Sequence, residues 1–387
     1  MEKVSVNVEK STNHKDKVTA KKIAQSLLDS VGITINGHHP WDIQVHNEKL
    51  YSRALSDGSL GLGEAYMDKW WDCERLDIFF DKLLRGKLND KIKIPFHFYF
   101  KQLFAKMVNL QTKSRAKQVA YAHYDLGNNL FSHMLDDRMI YSCGYWKEST
   151  TLNDAQEEKL DLICQKLQLR PGLSLLDIGC GWGGLIKYAA QKYGVNATGI
   201  TISQQQCDYA KDACKGLPVE ICLQDYRDIH TTFDRVVSVG MFEHVGHKNY
   251  TTFMQTAHRA LAKDGLFLLH TIGINEQSSL ANEWITEYIF PNGMLPTIAQ
   301  IANAAEKLFV IEDLHNFGAY YDNTLMAWYE NFTRHWDSLK NQYDERFYRM
   351  WTYYLLSCAG SFRSRTNQLW QIVLSKNGII GGYLSPR

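Results

Sequence analysis

Residues 175–185 constrain the fold of this chain more than any other segment. They read Leu-Leu-Asp-Ile-Gly-Cys-Gly-Trp-Gly-Gly-Leu, an apolar run that ends in a glycine cluster and is followed by a helical pattern. This pattern predicts a strand, a tight turn and a helix start, because glycine lets the backbone turn sharply and approach a ligand closely. The free N–H groups that begin the helix favour an electron-rich or carboxylate group. We therefore expect the turn to hold a small molecule.

The turn by itself does not identify its ligand. Glycine-rich strand-to-helix turns occur in sheets that bind dinucleotides and in sheets that bind methyl donors. Asp177, directly before the turn, favours the methyl donor S-adenosylmethionine. Asp225 and Tyr226, at the end of the third predicted strand, are candidates for contacts to its adenine. The candidates for a backbone cradle around its methionine end are Gly179, Gly181 and Gly183.

The second predicted strand lacks the acidic residue that usually holds the ribose hydroxyls of such a ligand. The segment at its end reads Gly-Ile-Thr-Ile-Ser over residues 199–203. We expect Thr201, or Gln206 one turn into the next helix, to replace the carboxylate. Ile202 of the same segment is assigned to the cofactor site as well.

Predicted strands and helices alternate after this turn, which implies a mostly parallel sheet covered on both faces, with ligands beyond the carboxyl ends of its strands. Asn153 or Asp154 is predicted to cap a helix that ends near residue 167. The later predicted helices are 183–193, 203–215, 248–261, 298–308, 321–339 and 345–362. The later predicted strands are 195–202, 219–223, 235–239, 265–271, 309–314 and 369–374, and residues 284–296 are predicted to form a lid-like insertion.

Composition limits the other possibilities. The 387 residues, 45% of them hydrophobic, can bury a large core and suggest two domains, or one domain with an appendage. Residues 1–22 lack an apolar signal core, and we expect a cytoplasmic protein. Eight cysteines without a Cys-x-x-Cys pair predict reduced thiols rather than disulfides or a zinc site. The formal net charge of +1 gives no overall attraction to nucleic acid, and none is expected as a partner.

The segment before the predicted sheet has two open interpretations. Residues 91–117 alternate aromatic and apolar side chains with lysines and an arginine. A basic amphipathic segment of this kind can lie on a membrane surface, or it can be a linker helix whose lysines are solvated. For Trp70 and Trp71, further upstream, packing is favoured over ligand contact.

Six motifs, taken in order, resemble those of bacterial cyclopropane-fatty-acyl-phospholipid synthases. They are residues 141–146, 176–184, 224–228, 238–246, 269–273 and 288–293. The resemblance covers essentially the whole chain. It includes residues 58–68, which are similar to the extra N-terminal domain of the enterobacterial type that the shorter mycolic acid cyclopropane synthases lack.

The resemblance implies an α/β fold of the class I methyltransferase type, a doubly wound sheet that is mostly parallel with one antiparallel strand. It also implies a small, mainly helical N-terminal domain over residues 1–95, a linker at 96–118 and a catalytic domain at 119–387. The implied acceptor is an unsaturated phospholipid, reached by peripheral contact at the inner face of the cytoplasmic membrane. A homodimer is expected.

The implied reaction transfers a methyl group from S-adenosylmethionine to a cis double bond of an acyl chain. An alkene is a poor nucleophile and the resulting carbocation reacts readily with water, so the site must be dry, lined by aromatic faces and supplied with a base. Aromatic candidates are Tyr141, Tyr145, Trp146, Phe242, Tyr288 and Phe290.

In the family the base is thought to be a bound bicarbonate ion. By resemblance its ligands are Cys143, Glu243, His270, the backbone of Ile272, and Tyr321, and the cofactor site also includes Tyr141 and Ser142. His270 and Tyr321 can donate hydrogen bonds to the anion, while Glu243 can accept one from its hydroxyl or orient the histidine. A carboxylate beside an anion is otherwise repulsive, and we expect one shared proton there.

Alternatives exist for several of these residues and for the function. Cys143 can be an inert buried thiol or a covalent nucleophile. His244 and His247 have a spacing used by some metal sites, but no third ligand is apparent and no metal is expected. The competing functions are methyl transfer to an amine or a hydroxylated lipid, and lipid binding without catalysis.

Overall fold

The structure, a computed structural model, describes residues 14–88, 127–276 and 282–387. These residues form two compact units, and neither unit is continuous in sequence. The first contains residues 14–88, 282–290 and 333–366, and the second contains residues 127–276, 291–332 and 367–387. The predicted linker at 96–118 and the basic segment at 91–117 lie outside the described residues. The predicted domain division stays a prediction.

The first unit is mainly helical. Its helices are His14–Asp29, Lys49–Met67, Leu76–Arg85, Glu283–Tyr288, Trp336–Leu339 and Glu345–Arg363, and its short antiparallel pair is β1 (Gln44–Val45) with β2 (Trp71–Asp72). The Trp71 ring is fully buried and lies 5.2 Å from that of Tyr66 and 5.4 Å from that of Phe79. Trp71 is therefore a packing residue. The helix Lys49–Met67 is kinked at Gly58, whose φ of 56° and ψ of −131° lie outside the helical range.

The second unit is built on a seven-stranded sheet. Its strands are β3 (Ser174–Ile178), β4 (Asn196–Thr201), β5 (Val219–Leu223), β6 (Phe233–Val239), β7 (Leu261–Ile274), β8 (Val310–Asn316) and β9 (Asn367–Ser375). They are ordered β5-β4-β3-β6-β7-β9-β8; the first five are parallel, and β9 is antiparallel to both of its neighbours. The predicted sheet, mostly parallel with one antiparallel strand, is confirmed.

Both faces of this sheet are buried, and the two faces belong to separate apolar clusters. Leu176 and Phe267 belong to one cluster, while their neighbours Leu175 and Leu268 belong to the other. Adjacent residues of a strand point to opposite faces, so this division shows that helices cover the sheet on both sides. The helices of this part of the chain are Asn128–Met134, Leu152–Lys166, Gly184–Tyr193, Gln204–Ala213, Tyr250–Ala260, Ile298–Ala305 and Tyr320–Arg334.

Within residues 14–88, 127–276 and 282–387, no helix is both long enough and apolar enough to cross a membrane.

The cap of the helix Leu152–Lys166 differs from the prediction. Thr151 is the N-cap residue, and its hydroxyl accepts a hydrogen bond from the Asp154 N–H at 3.2 Å. Its φ of −119° and ψ of 158° are the extended values that an N-cap requires. The Asn153 side chain instead pairs with Asp137, accepting from its N–H at 3.1 Å and donating to its carboxylate at 3.0 Å. The prediction of Asn153 or Asp154 as the cap is therefore wrong.

This cap can be tested with Thr151. Thr151→Ala removes the only side-chain acceptor of the cap and should lower the free energy of unfolding by about 1 kcal/mol, whereas Thr151→Ser keeps the hydroxyl and should stay within about 0.5 kcal/mol of the parent. Urea unfolding followed by circular dichroism measures both. Equal losses in the two variants would contradict the role assigned to the hydroxyl.

Candidate active site

A cleft of about 1430 Å³, partly open to solvent, lies at the carboxyl ends of four parallel strands. The residues that follow β3, β4, β5 and β6 line it, including Gly179, Ile202, Asp225 and Gly240. The strand order reverses at β3, which has β4 on one side and β6 on the other. A crevice forms at such a reversal in open α/β sheets, and ligands of such sheets bind there.

Most of the residues predicted to bind the cofactor line this cleft. They are Tyr141, Ser142, Asp177, Gly179, Gly181, Thr201, Ile202, Gln206, Asp225 and Tyr226. Gly183 is the exception, because it is absent from the cleft wall and begins the helix Gly184–Tyr193 with a φ of 84°. A Cβ atom there would lie 3.1 Å from the Cβ of Ala210, so Gly183 serves the turn and the helix packing.

The glycine turn exposes bare backbone to the cleft. Gly179 and Gly181 have φ values of 89° and 55°, in the left-handed region that favours glycine. The N–H groups of Gly179 and Cys180 donate to the carbonyl of Ile200 at 3.0 and 2.9 Å, which ties the turn to β4. Apart from Gly181 itself and its two chain neighbours, no atom of the described residues lies within 4 Å of where a Cβ of Gly181 would be. The backbone of Gly181 is therefore open to close approach by a ligand.

A neutral pair of side chains occupies the end of β4, where an acidic residue is usual. The Thr201 hydroxyl donates to Oε1 of Gln206 at 2.9 Å and accepts from the Ser203 N–H at 3.2 Å. The Ser203 side chain caps the helix Gln204–Ala213 and holds Gln206 in place. Both expected substitutes for the carboxylate are thus joined in one network on the cleft wall.

The end of β5 carries an ion pair that the sequence did not indicate. Arg227 donates to the Asp225 carboxylate through Nε and Nη2, each at 2.7 Å. The Tyr226 ring packs 5.3 Å from Phe253. Asp225 and Tyr226 are therefore both fixed in orientation before any ligand arrives.

Of the residues predicted to hold an anion, Glu243 and Ile272 are in direct contact. The Ile272 N–H donates to Oε1 of Glu243 at 2.7 Å, while Oε2 is buried without a hydrogen-bond partner among the described residues. The Ile272 N–H thus orients Glu243, and its predicted contact with an anion stays a prediction. Burial raises the pKa of Glu243 to about 7, although the Ile272 N–H opposes the shift.

His270 lies two residues before Ile272 on β7 and is almost completely buried. Nε2 of Gln371 lies 3.2 Å from its Nδ1. With the Gln371 amide in this orientation, its NH2 group donates to Nδ1, and a neutral ring then carries its proton on Nε2. That Nε2 has no hydrogen-bond partner among the described residues. Burial, together with the charges of Lys159 and Lys166, holds the pKa of His270 well below its ordinary value, so the ring is neutral.

Cys143 lies in a loop fixed by Thr324. The Gly144 N–H and the Trp146 indole donate to the Thr324 hydroxyl at 3.0 and 2.9 Å. Cys143 is fully buried, and burial raises the pKa of its thiol far above the usual range. A neutral thiol is a poor nucleophile, which argues against covalent catalysis. Tyr321, one helical turn before Thr324, is also buried, and its ring stands edge-on to Trp328 at 6.1 Å.

The residues of the predicted anion set do not line the cleft. This applies to Cys143, Glu243, His270, Ile272 and Tyr321. Two of them are close in sequence to residues that line the cleft. Ser142 directly precedes Cys143, and Met241 lies two residues before Glu243. The structure therefore separates a donor cleft from a buried polar set behind it.

The aromatic candidates fall into both units. Tyr141 lines the cleft, and its ring lies 5.1 Å from that of Trp328. Phe242 stacks on Tyr250 at 4.3 Å. Tyr288 and Phe290 belong to the first unit, where the Tyr288 hydroxyl donates to Glu64 at 2.8 Å and Phe290 stands edge-on to Tyr354.

Sequence reasoning missed Lys159, which lines the cleft and is 1% exposed. A signal was available in the helix Leu152–Lys166. Lys159 follows Ala155 by four residues and precedes Ile163 by four, so it lies on the apolar face of that helix. A lysine at such a position has to find a buried partner. Thr324 and Gln371 had no comparable signal, because their roles come from contacts between distant elements.

Comparisons with known proteins agree on one family. The family model for mycolic acid cyclopropane synthetase matches residues 111–372. The cyclopropane-fatty-acyl-phospholipid synthase of Escherichia coli strain K12 is 54% identical over 355 residues, covering 92% of this chain and 93% of that protein.

Two solved structures resemble about two thirds of the chain. A cyclopropane synthase of Mycobacterium tuberculosis is 33% identical with a TM-score of 0.65, covering 67% of this chain and 98% of that one. A mycolic acid cyclopropane synthase complexed with SAH and CTAB is 32% identical with a TM-score of 0.64, covering 67% of this chain and 98% of that one.

The raised pKa of Glu243 predicts how stability depends on pH. Between its ordinary value of 4.5 and about 7, the folded protein keeps a proton that the unfolded chain releases, so the free energy of unfolding falls as pH rises. Glu243→Gln removes this loss. The variant should therefore gain stability relative to the parent between pH 5 and pH 8, by on the order of 2 kcal/mol.

Chemical unfolding of the ligand-free protein at several pH values measures this difference. The contribution of other groups cancels between the two proteins. Glu276→Gln, the same substitution at an exposed position, is the matched control. A constant difference for Glu243→Gln would contradict the assigned pKa.

Proposed function

The chain belongs to the mycolic acid cyclopropane synthetase family and is an S-adenosylmethionine-dependent methyltransferase, and on this premise we propose that it makes cyclopropane rings in phospholipid acyl chains. The methyl carbon of the donor goes to a cis double bond of an unsaturated chain. The main support for the proposal comes from two buried polar atoms, Oε2 of Glu243 and Nε2 of His270. Neither atom has a hydrogen-bond partner among the described residues, and both residues lie outside the wall of a cleft suited to the donor.

Several features of the cleft support binding of the donor there. The exposed backbone of Gly181 suits the methionine end of the donor. So does Oδ1 of Asp177, which is buried and has no hydrogen-bond partner among the described residues. The linked pair of Thr201 and Gln206 offers hydrogen bonds to the ribose, and the oriented Tyr226 and Asp225 can face the adenine. When bound, the donor supplies an electrophilic methyl group. The chain has to hold it, exclude water and provide for loss of a proton from the acceptor.

The buried polar set suits a small protonated anion such as bicarbonate. A neutral His270 has an N–H at Nε2 to donate, and Oε2 of Glu243 has lone pairs to accept the hydroxyl of the anion. Two anions side by side are repulsive unless a proton is shared between them, and the pKa of Glu243 near 7 makes such sharing accessible at neutral pH. An amine acceptor, which brings its own nucleophilic lone pair, would not need this set.

We also propose that the acceptor is presented by a membrane surface to which the protein binds peripherally. A bilayer would supply the long acyl chain that the reaction requires, and the site would then have to take it up without admitting water. Peripheral binding, the homodimer and the cytoplasmic location stay predictions.

Substitution of Glu243 or His270 should stop the reaction without preventing binding of the donor. Glu243→Gln and His270→Ala should each lower turnover at least about 100-fold, since both take part after the donor has bound. Turnover is measured by mass spectrometry, as a gain of one methylene in the acyl chains of unsaturated phospholipid vesicles. Calorimetric affinity for S-adenosylhomocysteine should stay within about threefold, and Glu276→Gln serves as the control. Unchanged turnover in both variants would rule out the assignment.

The proposed role of bicarbonate can be tested by removing the ion from the assay buffer. Turnover in buffer freed of dissolved carbon dioxide should fall severalfold and recover when bicarbonate is added, because the proposed base then returns to its site. His270→Ala should not recover at the same bicarbonate concentrations. Full turnover in bicarbonate-free buffer would mean that a side chain, and not the ion, accepts the proton.

A further inference from the structure

Gln371 is a buried amide in the middle of an apolar strand. It is 0% exposed and lies on β9, where residues 369–374 are otherwise apolar. Its Oε1 is buried and has no hydrogen-bond partner among the described residues. An amide in this condition destabilises the folded state. A methionine would fill the same space without that penalty, so the amide at this position requires another explanation.

His270 is the one recorded contact of the Gln371 side chain among the described residues. The two residues are directly opposite each other in the antiparallel ladder between β7 and β9, and Nε2 of Gln371 lies 3.2 Å from Nδ1 of His270. Opposed residues of neighbouring strands place their side chains on the same face of a sheet. The contact is therefore fixed by the register of two strands and does not depend on a loop.

The surroundings protect this contact from competing groups. His270 is 1% exposed, so bulk water cannot replace Gln371 at Nδ1. The Phe317 ring packs against His270 with its centroid at 5.8 Å. His315 lies opposite Gln371 on the other neighbouring strand, β8, but its Nδ1 contacts Nζ of Lys166 at 3.0 Å. Gln371 is thus the group that determines the environment of Nδ1.

The hydrogen bond at one imidazole nitrogen determines what the other nitrogen can offer. With the NH2 group of Gln371 directed at Nδ1, a neutral His270 carries its proton on Nε2, the buried nitrogen without a partner among the described residues. With the amide reversed, the proton would be on Nδ1 and Nε2 would present only a lone pair. The orientation of one amide therefore decides whether His270 can donate to an anion.

We propose that Gln371 is a positioning residue for the reaction, which holds His270 in the tautomer whose Nε2–H donates to the bicarbonate ion. Glu243 is anchored to β7 two residues beyond His270, through the Ile272 N–H. A lone pair on Nε2 would add to the repulsion that an anion meets from this carboxylate, whereas an N–H attracts the anion. This inference rests on the proposed function, because it presumes that bicarbonate binds beside His270 and Glu243.

Nitrogen NMR of the ligand-free protein, prepared with isotope-labelled histidine, reads the tautomer directly. The signals of His270 are those that disappear in His270→Ala. In the parent, Nδ1 should be unprotonated and hydrogen-bonded, and Nε2 should carry the proton. Gln371→Met removes both polar atoms of the amide and should move the Nδ1 signal towards that of a nitrogen without a hydrogen bond.

Gln371→Glu reverses the hydrogen bond at nearly constant shape. A carboxylate is a weaker base than an imidazole, so the proton that the two groups share should be found on Nδ1. The same NMR measurement detects this change. If the buried carboxylate prevents folding, Gln371→Met alone decides the question.

The bicarbonate dependence of turnover is a second readout, which a packing role alone would not change. Gln371→Met should raise the bicarbonate concentration needed for half-maximal turnover by about 3- to 10-fold, the range expected for loss of one neutral hydrogen bond. Saturating bicarbonate should restore turnover. Calorimetric affinity for S-adenosylhomocysteine should equal that of the parent, because Gln371 does not line the cleft.

Gln368→Met is the matched control. Gln368 is a buried glutamine of the same strand, three residues before Gln371 and therefore on the opposite face. Its Oε1 accepts from Nδ2 of Asn316 at 2.9 Å. The control should leave the His270 signals and the bicarbonate requirement as they are in the parent.

Three outcomes would overturn the proposal. A proton on Nδ1 of His270 in the parent would show that the amide has the reverse orientation. Unchanged His270 signals in the Gln371 variants would show that the amide does not set the tautomer. An unchanged bicarbonate requirement in Gln371→Met, despite shifted signals, would limit Gln371 to a structural role. All three are seen with an active parent, whereas a parent that makes no cyclopropane product would refute the proposed function itself.

Discussion

Burial of the sheet on both faces is the constraint on which the second unit depends. Residues along the parallel strands contribute to two apolar clusters, one on each face of the sheet. Side chains in the middle of these strands are therefore packed in the core and do not contact a ligand. Polar groups that act on a ligand are thereby confined to the strand ends and the loops beyond them. The reversal of strand order at β3 spreads those ends apart and creates the cleft. Fold and site are therefore consequences of the same packing arrangement.

Three of the buried polar residues near the cleft share a property. Asp177, Glu243 and His270 each have a buried atom without a hydrogen-bond partner among the described residues. A group in this condition destabilises the folded state, and burial moves the pKa of Asp177 and that of Glu243 to about 7. Apolar residues of similar size would pack at these positions without that penalty. The presence of Asp177, Glu243 and His270 is understandable if ligands supply the missing hydrogen bonds. The ligand-free protein is then less stable than it would be with apolar residues at these positions, but it can bind the ligands.

The sequence predicted the sheet well because alternating strands and helices are encoded by local periodicity. The strand at 219–223 was predicted with the bounds it has, and the glycine turn was placed correctly. The sequence could not predict that residues 282–290 and 333–366 belong to the first unit, since that arrangement depends on contacts between segments far apart in the chain. The Thr151 cap was missed for a more local reason. Several capping residue types occur together there, and only the backbone conformation decides among them. Lys159 was missed because a lysine in a helix is usually read as a solvated one.

Burial and neighbouring charges set the protonation states of the polar groups near the cleft. Burial lowers the pKa of Lys159 to about 8 and raises that of Asp177 to about 7, so both side chains on the cleft wall are held closer to their neutral forms than they would be in water. For His270, burial and the charges of Lys159 and Lys166 act in the same direction, and both lower its pKa. The imidazole is therefore neutral, and a neutral imidazole can both donate and accept a hydrogen bond. The hydrogen-bonding capacity of His270 in the proposed reaction thus depends on burial and on the two lysine charges together.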